Sequence, residues 1–279
     1  MNGPRIESLE WGPHRIHVED QGEGEPVILL HSSGMSGRQW RRLQARLVRD
    51  GLRTLVPDLL GSGRSSAWPD GERFTFLHDV EVVEGLFQRF SGGAHLVGHS
   101  YGGLIALRVA ERHPDEARSL SPYDPVAFGV LDSDRDAEAR ANLANLHFRW
   151  GDSPAEHEAW LEAFVTYWNG PEAWPLLQGI TRAEFIRTGW VAHEGACSLV
   201  ADRTPASAYA KLRCATLLLS GSTTPTAARH VIERLVEAIP SAQKTTLQGA
   251  GHMGPLTHGD LVSDLIARHI AASRGREPV

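Results

Sequence analysis

The segment Gly98-His99-Ser100-Tyr101-Gly102 has the residue types and the spacing of a nucleophile held at a sharp turn. It follows the apolar run AHLV and precedes the helical pattern LIALRVAERH, so the chain passes from a strand into a helix at Ser100. Such a turn strains the backbone and exposes the hydroxyl, and the flanking glycines leave room where side chains would clash. The hydroxyl then lies at the positive end of the helix, where the Tyr101 N–H can donate to an oxyanion. We therefore predict that Ser100 is a nucleophile.

A second oxyanion donor is expected from the loop His31-Ser32-Ser33-Gly34, which directly follows the apolar run PVILL. The backbone N–H of Ser33 is the first candidate, and that of Ser32 is the second. A plain polar turn is the alternative interpretation of this loop.

A general base is also needed, because a serine hydroxyl is a weak nucleophile until a neighbouring group takes its proton. His252 lies in the glycine-rich segment GAGHMG, just after the last apolar run. This is the carboxyl end of a predicted strand, where open α/β sheets place their sites. His258 is a rival, but its position at the start of a helix is typical of a capping or packing residue. We therefore predict that His252 is the base.

Short apolar runs without alternation predict the strands that position these residues, since strands buried on both faces read this way. They cover residues 26–33, 53–58, 94–100, 117–124, 215–222 and 244–252. The helical patterns between them cover residues 38–51, 77–90, 104–114 and 227–240. Residues 5–22 read as an antiparallel hairpin at the sheet edge. The alternation of strands and helices predicts an α/β fold with right-handed crossovers.

One segment, residues 126–208, interrupts the alternation with helical patterns and no convincing strand. We predict that it forms a helical cap, or lid, over a core made of residues 1–125 and 209–279. Five of the eight tryptophans fall within it. Some of these aromatic side chains are expected to form the lid's own small core, and others to face a pocket. The candidates for contact with substrate are Trp150, Trp168 and Trp190.

Composition and charge argue against several classes of function. The chain has 279 residues, of which 41% are hydrophobic, enough for one large domain with a substantial core. A net charge of −6 without a basic run argues against nucleic acid as a partner. No apolar segment reaches the roughly 18 residues of a membrane span, and the N-terminus does not resemble a secretory signal. Two cysteines without metal-like spacing fit a cytoplasmic protein, and no histidine pattern predicts a bound metal.

Five segments together resemble the α/β-hydrolase superfamily over nearly the full length of the chain. They are HSSG (31–34), PDLLGSGRS (57–65), VGHSYGG (97–103), SPYDPV (121–126) and GAGHMGPLTH (249–258). The resemblance implies the α/β-hydrolase fold: an eight-stranded, mostly parallel sheet flanked by helices, with a helical cap inserted after the sixth strand. It also implies a triad in the chain order nucleophile, acid, histidine. The chain departs from the superfamily at Ser32, where glycine is more usual, and this affects the shape expected of the oxyanion loop.

The acid of the triad is missing from the position where most members of this superfamily carry it. Their seventh strand leads into Gly-x-x-Asp, but here the segment LLLSGSTTPT places Thr224 at the aspartate position. A threonine hydroxyl carries no charge that could stabilise an imidazolium. Some members, including a group of haloalkane dehalogenases and the zearalenone-type lactonases, take the acid from the end of the sixth strand. Asp124 occupies that position here. The proline that follows it, Pro125, favours an extended backbone at Asp124, as expected at the end of a strand.

Asp124 is therefore the predicted acid, and an ordinary Asp-Pro surface turn is the alternative interpretation. Two other carboxylates, Asp260 and Asp264, are rivals for the role. They fall on the helix expected after His252 and are predicted to point away from it.

The combined residues predict a serine hydrolase that cleaves a carboxylic ester or lactone without a cofactor. A bulky, apolar small molecule is the expected substrate beneath a tryptophan-rich lid. Haloalkane dehalogenases and epoxide hydrolases share the implied fold but use an aspartate nucleophile, which Ser100 contradicts. Carbon–carbon bond hydrolases of ring-cleavage products, cofactor-free perhydrolases and a non-catalytic ligand receptor on the same scaffold stay open as alternatives. The sequence also leaves open whether the chain forms a homodimer.

Overall fold

Eight short strands form a single sheet in the computed structural model, which describes residues 5–144, 149–177 and 179–274. The strands are β1 (Arg5–Trp11), β2 (His14–Gln21), β3 (Glu25–Leu30), β4 (Leu52–Pro57), β5 (His95–His99), β6 (Ser119–Tyr123), β7 (Ala215–Gly221) and β8 (Ala242–Leu247). Their order in the sheet is β1-β2-β4-β3-β5-β6-β7-β8. Each predicted strand and both arms of the predicted hairpin are present, with somewhat different ends.

The sheet is parallel except at one edge, where the β1–β2 and β2–β4 pairs run antiparallel. The strands from β3 to β7 bury nearly every residue, because the chain covers both faces of the sheet there. In the edge hairpin, by contrast, β2 alternates buried residues with more exposed ones. The predicted fold class, a mostly parallel eight-stranded sheet flanked by helices, is confirmed.

Helices cover both faces of the sheet and fill the connection between β6 and β7. They are α1 (Arg41–Arg49), α2 (Phe76–Phe87), α3 (Tyr101–Arg112), α4 (Ala137–Ala144), α5 (Pro154–Asn169), α6 (Ala173–Leu176), α7 (Gly179–Arg187), α8 (Gly189–Ala201), α9 (Thr226–Ala238), α10 (Gly254–Thr257) and α11 (Gly259–Ser273). Val27 and Leu29 of β3 share one core with α1 and α11, whereas Ile28 and Leu30 share the other with α2, α3 and α9. Alternate strand residues face opposite sides, so the two cores lie on opposite faces. No helix in the described ranges is long and apolar enough to cross a membrane.

The inserted segment, residues 126–208, contains helices and no strand within its described part. A separate small core in this segment consists of Trp160, Leu161, Val165, Trp174, Phe185, Ala192 and Ala196. Trp168 of α5 instead packs into the core that lies against the sheet. The expected boundary at residue 208 falls inside a 3-10 helix, Ala206–Lys211, which leads into β7.

Two glycines, Gly98 and Gly102, allow β5, α3 and β3 to approach closely at the turn around Ser100. A Cβ atom at Gly98 would lie 2.1 Å from the carbonyl oxygen of Gly102, and one at Gly102 would lie 2.4 Å from that of Leu30. Both distances are far shorter than van der Waals contact, so a side chain at either position would displace backbone. The glycines of this turn are therefore required by packing.

Replacing Gly102 by alanine should lower the free energy of unfolding by about 1–3 kcal/mol, the usual cost of overpacking. The control is Gly85→Ala, because Gly85 is exposed within α2 and no atom would lie within 4 Å of its added Cβ. That change should raise the free energy of unfolding by about 0.5–1 kcal/mol, since alanine favours a helix. Urea denaturation followed by circular dichroism measures both effects. A Gly102→Ala variant at least as stable as the wild type would contradict the close approach at Gly102.

Candidate active site

Ser100 lies at the tip of the turn between β5 and α3, in a backbone conformation that residues other than glycine rarely adopt. Its φ is 54° and its ψ is −114°. The Ser100 N–H donates to the carbonyl oxygen of Tyr123 at 2.9 Å, and the Ser100 carbonyl oxygen accepts from the Leu104 N–H at 3.1 Å. Strain of this kind persists where the surrounding structure enforces it. The hydroxyl is thereby fixed at the N-terminus of α3.

His252, in the loop after β8, reaches Ser100 across the carboxyl edge of the sheet. Its Nε2 lies 2.9 Å from Ser100 Oγ. The His252 carbonyl oxygen accepts from His99 Nε2 at 2.8 Å, and this bond fixes the loop against β5. Burial lowers the pKa of His252 to about 3, because the imidazolium would lose its hydration. The ring is therefore neutral at pH 7, and its Nε2 can accept the proton of Ser100.

The indole of Trp168, from α5, stacks on the ring of His252. The ring centroids are 4.1 Å apart, and the angle between the planes is 25°. This contact joins the inserted segment directly to His252. The negative face of an aromatic ring also attracts a cation, so the stack would stabilise His252 in its protonated form.

Asp124 follows β6, and its carboxylate faces the other nitrogen of His252. The Asp124 Oδ2 lies 3.3 Å from His252 Nδ1, and both side chains are almost fully buried. The prediction of an extended backbone at Asp124 is wrong, because the φ of this residue is +42°. A hydrogen bond of 2.8 Å from the Asp124 N–H to the Leu219 carbonyl oxygen holds this turn. Aspartate tolerates the left-handed region better than most residues, so the hydrogen bond overrides the local preference.

Thr224 occupies the position where the superfamily usually has its acid. Its hydroxyl donates a hydrogen bond to Asp124 Oδ2. The same oxygen faces His252 Nδ1. Burial raises the pKa of Asp124 well above its usual value, and hydrogen bonds from Thr224 and the Gly221 backbone oppose that rise. Sequence reasoning assigned no role to Thr224, since a contact between residues 100 positions apart exists only in the folded sheet. The threonine orients the carboxylate and favours its ionised form.

Ser33 and Tyr101 line the same cavity as Ser100, whereas Ser32 does not. The Ser32 N–H instead donates to Gln39 Oε1 at 3.1 Å. The Tyr101 N–H lies in the first turn of α3, where N–H groups have no partner within the helix. This arrangement favours Ser33 and Tyr101 over Ser32 as oxyanion donors.

His31 fixes the conformation of the loop that carries Ser33. Its Nε2 accepts from the Leu59 N–H at 2.9 Å, so the hydrogen lies on Nδ1, which donates to the Ser32 carbonyl oxygen at 2.8 Å. Burial also lowers the pKa of His31, so this ring stays neutral. Both ring nitrogens are engaged, and His31 is a structural part of the oxyanion loop.

The cavity at Ser100 is small and mostly apolar. Its volume is about 20 Å³, room for roughly one water molecule. Besides the three residues already named, its lining consists of Val126, Phe128, Phe164, Trp168, Ala192, Ala196, Leu199 and Val200. Arginine and lysine are absent from this lining within the described parts of the chain.

Of the three tryptophans expected to contact substrate, Trp168 alone lines this cavity. Trp150 stacks on His157 with the ring centroids 4.4 Å apart, and Trp190 Nε1 donates to the Glu72 carbonyl oxygen at 2.8 Å. Trp150 and Trp190 also contact each other edge to face. The structure therefore does not bring these two to the cavity, because they pack among other side chains.

The rival base and acids lie away from this site. His258 directly precedes α11, and its side chain makes no helix-capping hydrogen bond. Asp260 pairs with Arg42 at 3.2 Å, and Asp264 lies 3.9 Å from Arg46. Both carboxylates thus face α1.

A different cluster, on α8, is the candidate for a metal site. The ligand atoms of His193, Glu194 and Cys197 lie within 4.8 Å of one another. Glu194 faces Nδ1 of the histidine at 3.3 Å, however, while Cys197 faces Nε2 at 3.6 Å. Burial also raises the pKa of Cys197 to about 11, which disfavours the thiolate that a metal needs. Since one ion cannot bind both nitrogens of one ring, the geometry does not favour a shared metal.

Comparison with known sequences decides the family. A sequence model of the alpha/beta hydrolase family matches residues 27–265. The chain belongs to this family. The match begins in β3 and ends in α11, so it includes Ser100, Asp124 and His252.

Several known proteins are similar to this chain. An epoxide hydrolase from Caballeronia sordidicola is 34% identical over 38% of this chain and 32% of its own length. Lipase 3 from Moraxella sp. (strain TA144) is 26% identical over 88% of this chain and 78% of its own length. The crystal structure of an enol-lactonase from Burkholderia xenovorans LB400 matches 95% of this chain and 100% of that one, with a TM-score of 0.73 and 19% identity. The chain spans only 32% to 46% of the first curated relatives it matches, and the structural likeness establishes the fold alone.

The Asp124→Asn variant should react with a fluorophosphonate probe up to about 10⁴-fold more slowly, because an amide favours the wrong tautomer of His252. Thr224→Val should slow labelling by about 10-fold, since it removes one hydrogen bond to a charged oxygen. Asp260→Asn is the control and should label at the wild-type rate. Rate constants of labelling, read by mass spectrometry, rank the three variants. Slow labelling of Asp260→Asn beside normal labelling of Asp124→Asn would place the acid on α11.

Proposed function

We propose that the protein is a cofactor-independent serine hydrolase that cleaves a carboxylic ester or lactone through an acyl-enzyme. The observation that carries this proposal is the 2.9 Å contact between His252 Nε2 and Ser100 Oγ. The carboxylate of Asp124 faces the other nitrogen of the same ring. A hydroxyl, an imidazole and a carboxylate in this order can activate a serine for attack on a carbonyl carbon.

In the acylation step, Ser100 Oγ attacks the carbonyl carbon while His252 Nε2 takes the hydroxyl proton. The N–H groups of Ser33 and Tyr101 stabilise the oxyanion that forms. When the intermediate collapses, the bond to the alcohol oxygen breaks and His252 returns the proton to that oxygen. The product is an ester of Ser100. From a lactone, the released hydroxyl stays attached to the acyl group.

In the deacylation step, water replaces the alcohol. His252 Nε2 takes a proton from water, and the resulting hydroxide attacks the acyl carbon. The bond to Ser100 Oγ then breaks, and the histidine returns the proton to the serine. The carboxylic acid leaves, and the resting state is restored.

The imidazolium that forms in both steps is stabilised from two directions. Asp124 supplies a negative charge at Nδ1, and Thr224 keeps that carboxylate in place. The face of Trp168 lies against the same ring. These contacts support His252 as the residue that holds the proton between the two steps.

We infer that the inserted segment, residues 126–208, acts as a lid over Ser100. Its α5 contributes Trp168, and its α8 contributes Ala192, Ala196 and Leu199 to the lining of the cavity. The cavity in this state holds roughly one water molecule, so an ester can enter only if these side chains move. The apolar lining favours an apolar, uncharged substrate.

The nucleophile and the lining of the cavity support this proposal over its rivals in the same family. Epoxide hydrolases and haloalkane dehalogenases attack with an aspartate, and this chain has a serine at that position. Carbon–carbon bond hydrolases of ring-cleavage products use the same triad, and their dienoate substrates carry a carboxylate. The described lining of the cavity offers no arginine or lysine to such an anion. A perhydrolase would require peroxide for turnover, and a receptor would show none.

Ser100→Ala should abolish turnover of p-nitrophenyl esters and lactones while leaving the melting temperature near the wild-type value, because only a hydroxyl is removed. The matched control is Ser121→Ala, since Ser121 is also buried but lies within β6. This variant should keep its activity. Spectrophotometric assays and thermal melts measure both quantities. Substantial turnover by Ser100→Ala would remove the serine from the mechanism.

Uncharged apolar esters should be hydrolysed with a higher kcat/KM, by about 10-fold or more, than matched esters that carry a carboxylate. The reason is that a charged group would lose its hydration in an apolar cavity without a cationic partner. A panel of paired esters, lactones and a ring-fission dienone measures this preference. Faster turnover of the dienone than of every ester and lactone would favour carbon–carbon bond hydrolysis instead.

A further inference from the structure

A second cavity lies beside the one at Ser100 and shares Ser33 and Tyr101 with it. Its volume is about 10 Å³, close to the room taken by a single water-sized group. The two cavities differ in chemistry: the one at Ser100 is lined mainly by apolar side chains, whereas the second includes Ser62, Asp79 and Thr188. Ser33 and Tyr101, the proposed oxyanion donors, thus lie between an apolar cavity and a more polar one.

Asp79, in α2, is the charged group of the second cavity. It is only 1% exposed. One of its oxygens accepts from the Leu60 N–H at 2.9 Å, and the other accepts from the Tyr101 hydroxyl at 2.8 Å. Each carboxylate oxygen can accept a further hydrogen bond, because it has two lone pairs.

The environment of Asp79 is unusual for a carboxylate that serves only as a structural support. Within the described residues, no arginine, lysine or histidine forms an ion pair with it. Burial therefore raises its pKa to about 7, although both hydrogen bonds act in the opposite direction. A buried carboxylate without a countercharge, in a cleft beside a reactive serine, is typical of a functional position.

The neighbouring polar groups leave Asp79 as the strongest acceptor of the cavity. Ser62 and Thr188 contribute neutral hydroxyls, which accept hydrogen bonds more weakly than a carboxylate, and Thr188 uses its one donor on the Glu184 carbonyl oxygen. His31 uses both ring nitrogens within the oxyanion loop. A donor that enters the cavity would therefore meet the carboxylate of Asp79 as its principal partner.

We propose that the second cavity is a substrate subsite that binds a hydroxyl group of the ester or lactone, with Asp79 as the hydrogen-bond acceptor. This inference rests on the proposed function, because it places the scissile carbonyl at Ser100 and the oxyanion donors. The apolar part of the substrate occupies the first cavity, and the hydroxyl-bearing part passes Tyr101 into the second. A hydroxyl fits the volume, can donate a further hydrogen bond to Asp79 and carries no charge that must be desolvated.

The test compares esters that carry a terminal hydroxyl with esters of equal length that carry a methyl ether, which cannot donate. One series places the group on the acyl side, and another places it on the alcohol side. At the chain length that fits, wild-type kcat/KM should favour the hydroxyl ester by about 10-fold or more in one series. The Asp79→Asn variant should bring that ratio close to one.

The ratio of kcat/KM for the hydroxyl ester to kcat/KM for the methyl ether distinguishes a binding role of Asp79 from a structural one. If Asp79 only supported Leu60 and Tyr101, Asp79→Asn would lower kcat/KM for both esters equally and leave the ratio unchanged. The matched control is Asp136→Asn, which alters another fully buried aspartate that pairs with His230, and it should keep the wild-type ratio. An unchanged ratio in Asp79→Asn overturns the subsite.

The wild-type enzyme alone also decides the proposal, should Asp79→Asn fail to fold. A ratio near one at every chain length in both series overturns the subsite while the proposed function stands. Turnover of neither ester overturns the proposed function, and the subsite falls with it.

Discussion

The hydrogen bond between Asp124 and His252 is the interaction on which the rest of the site depends. It holds His252 Nδ1 at 3.3 Å from an oxygen that also accepts from Thr224. Because Nδ1 is engaged in this way, Nε2 is left to accept the proton of Ser100. Trp168 of the inserted segment stacks on the same ring, so a movement of that segment would change the surroundings of His252.

The register of the sheet places Ser100 and Asp124 side by side. His99 of β5 pairs with Tyr123 of β6, so Ser100 and Asp124 are the next residues on neighbouring strands. Both have positive φ values, 54° and 42°, and among the described residues they are the two that do so without being glycine. Each strand thus ends in a strained residue whose side chain meets the histidine. Because Asp124 supplies the carboxylate from the end of β6, the position of Thr224 after β7 does not need to carry one.

Much of the fold could be predicted from local signals, whereas parts of the site could not. Apolar runs located the strands, because strands buried on both faces carry their pattern in consecutive residues. The positive φ of Asp124 was missed, since a hydrogen bond to a neighbouring strand overrides the preference set by Pro125. The position of Trp150 also could not be predicted, because one of its partners, Trp190, lies on α8, far along the inserted segment. The roles inferred for Thr224 and Asp79 likewise depend on contacts between residues that are far apart in the chain.

The most direct test of the Asp124–His252 pair moves the carboxylate from the end of β6 to the loop after β7. Asp124→Ala should lower kcat/KM for an ester by about 10⁴-fold, because His252 loses its charged partner. Adding Thr224→Asp should restore at least about 10-fold of that loss, since the new carboxylate starts from a side chain that already lies against Asp124 Oδ2. A kcat/KM near the wild-type value in Asp124→Ala alone would contradict the account.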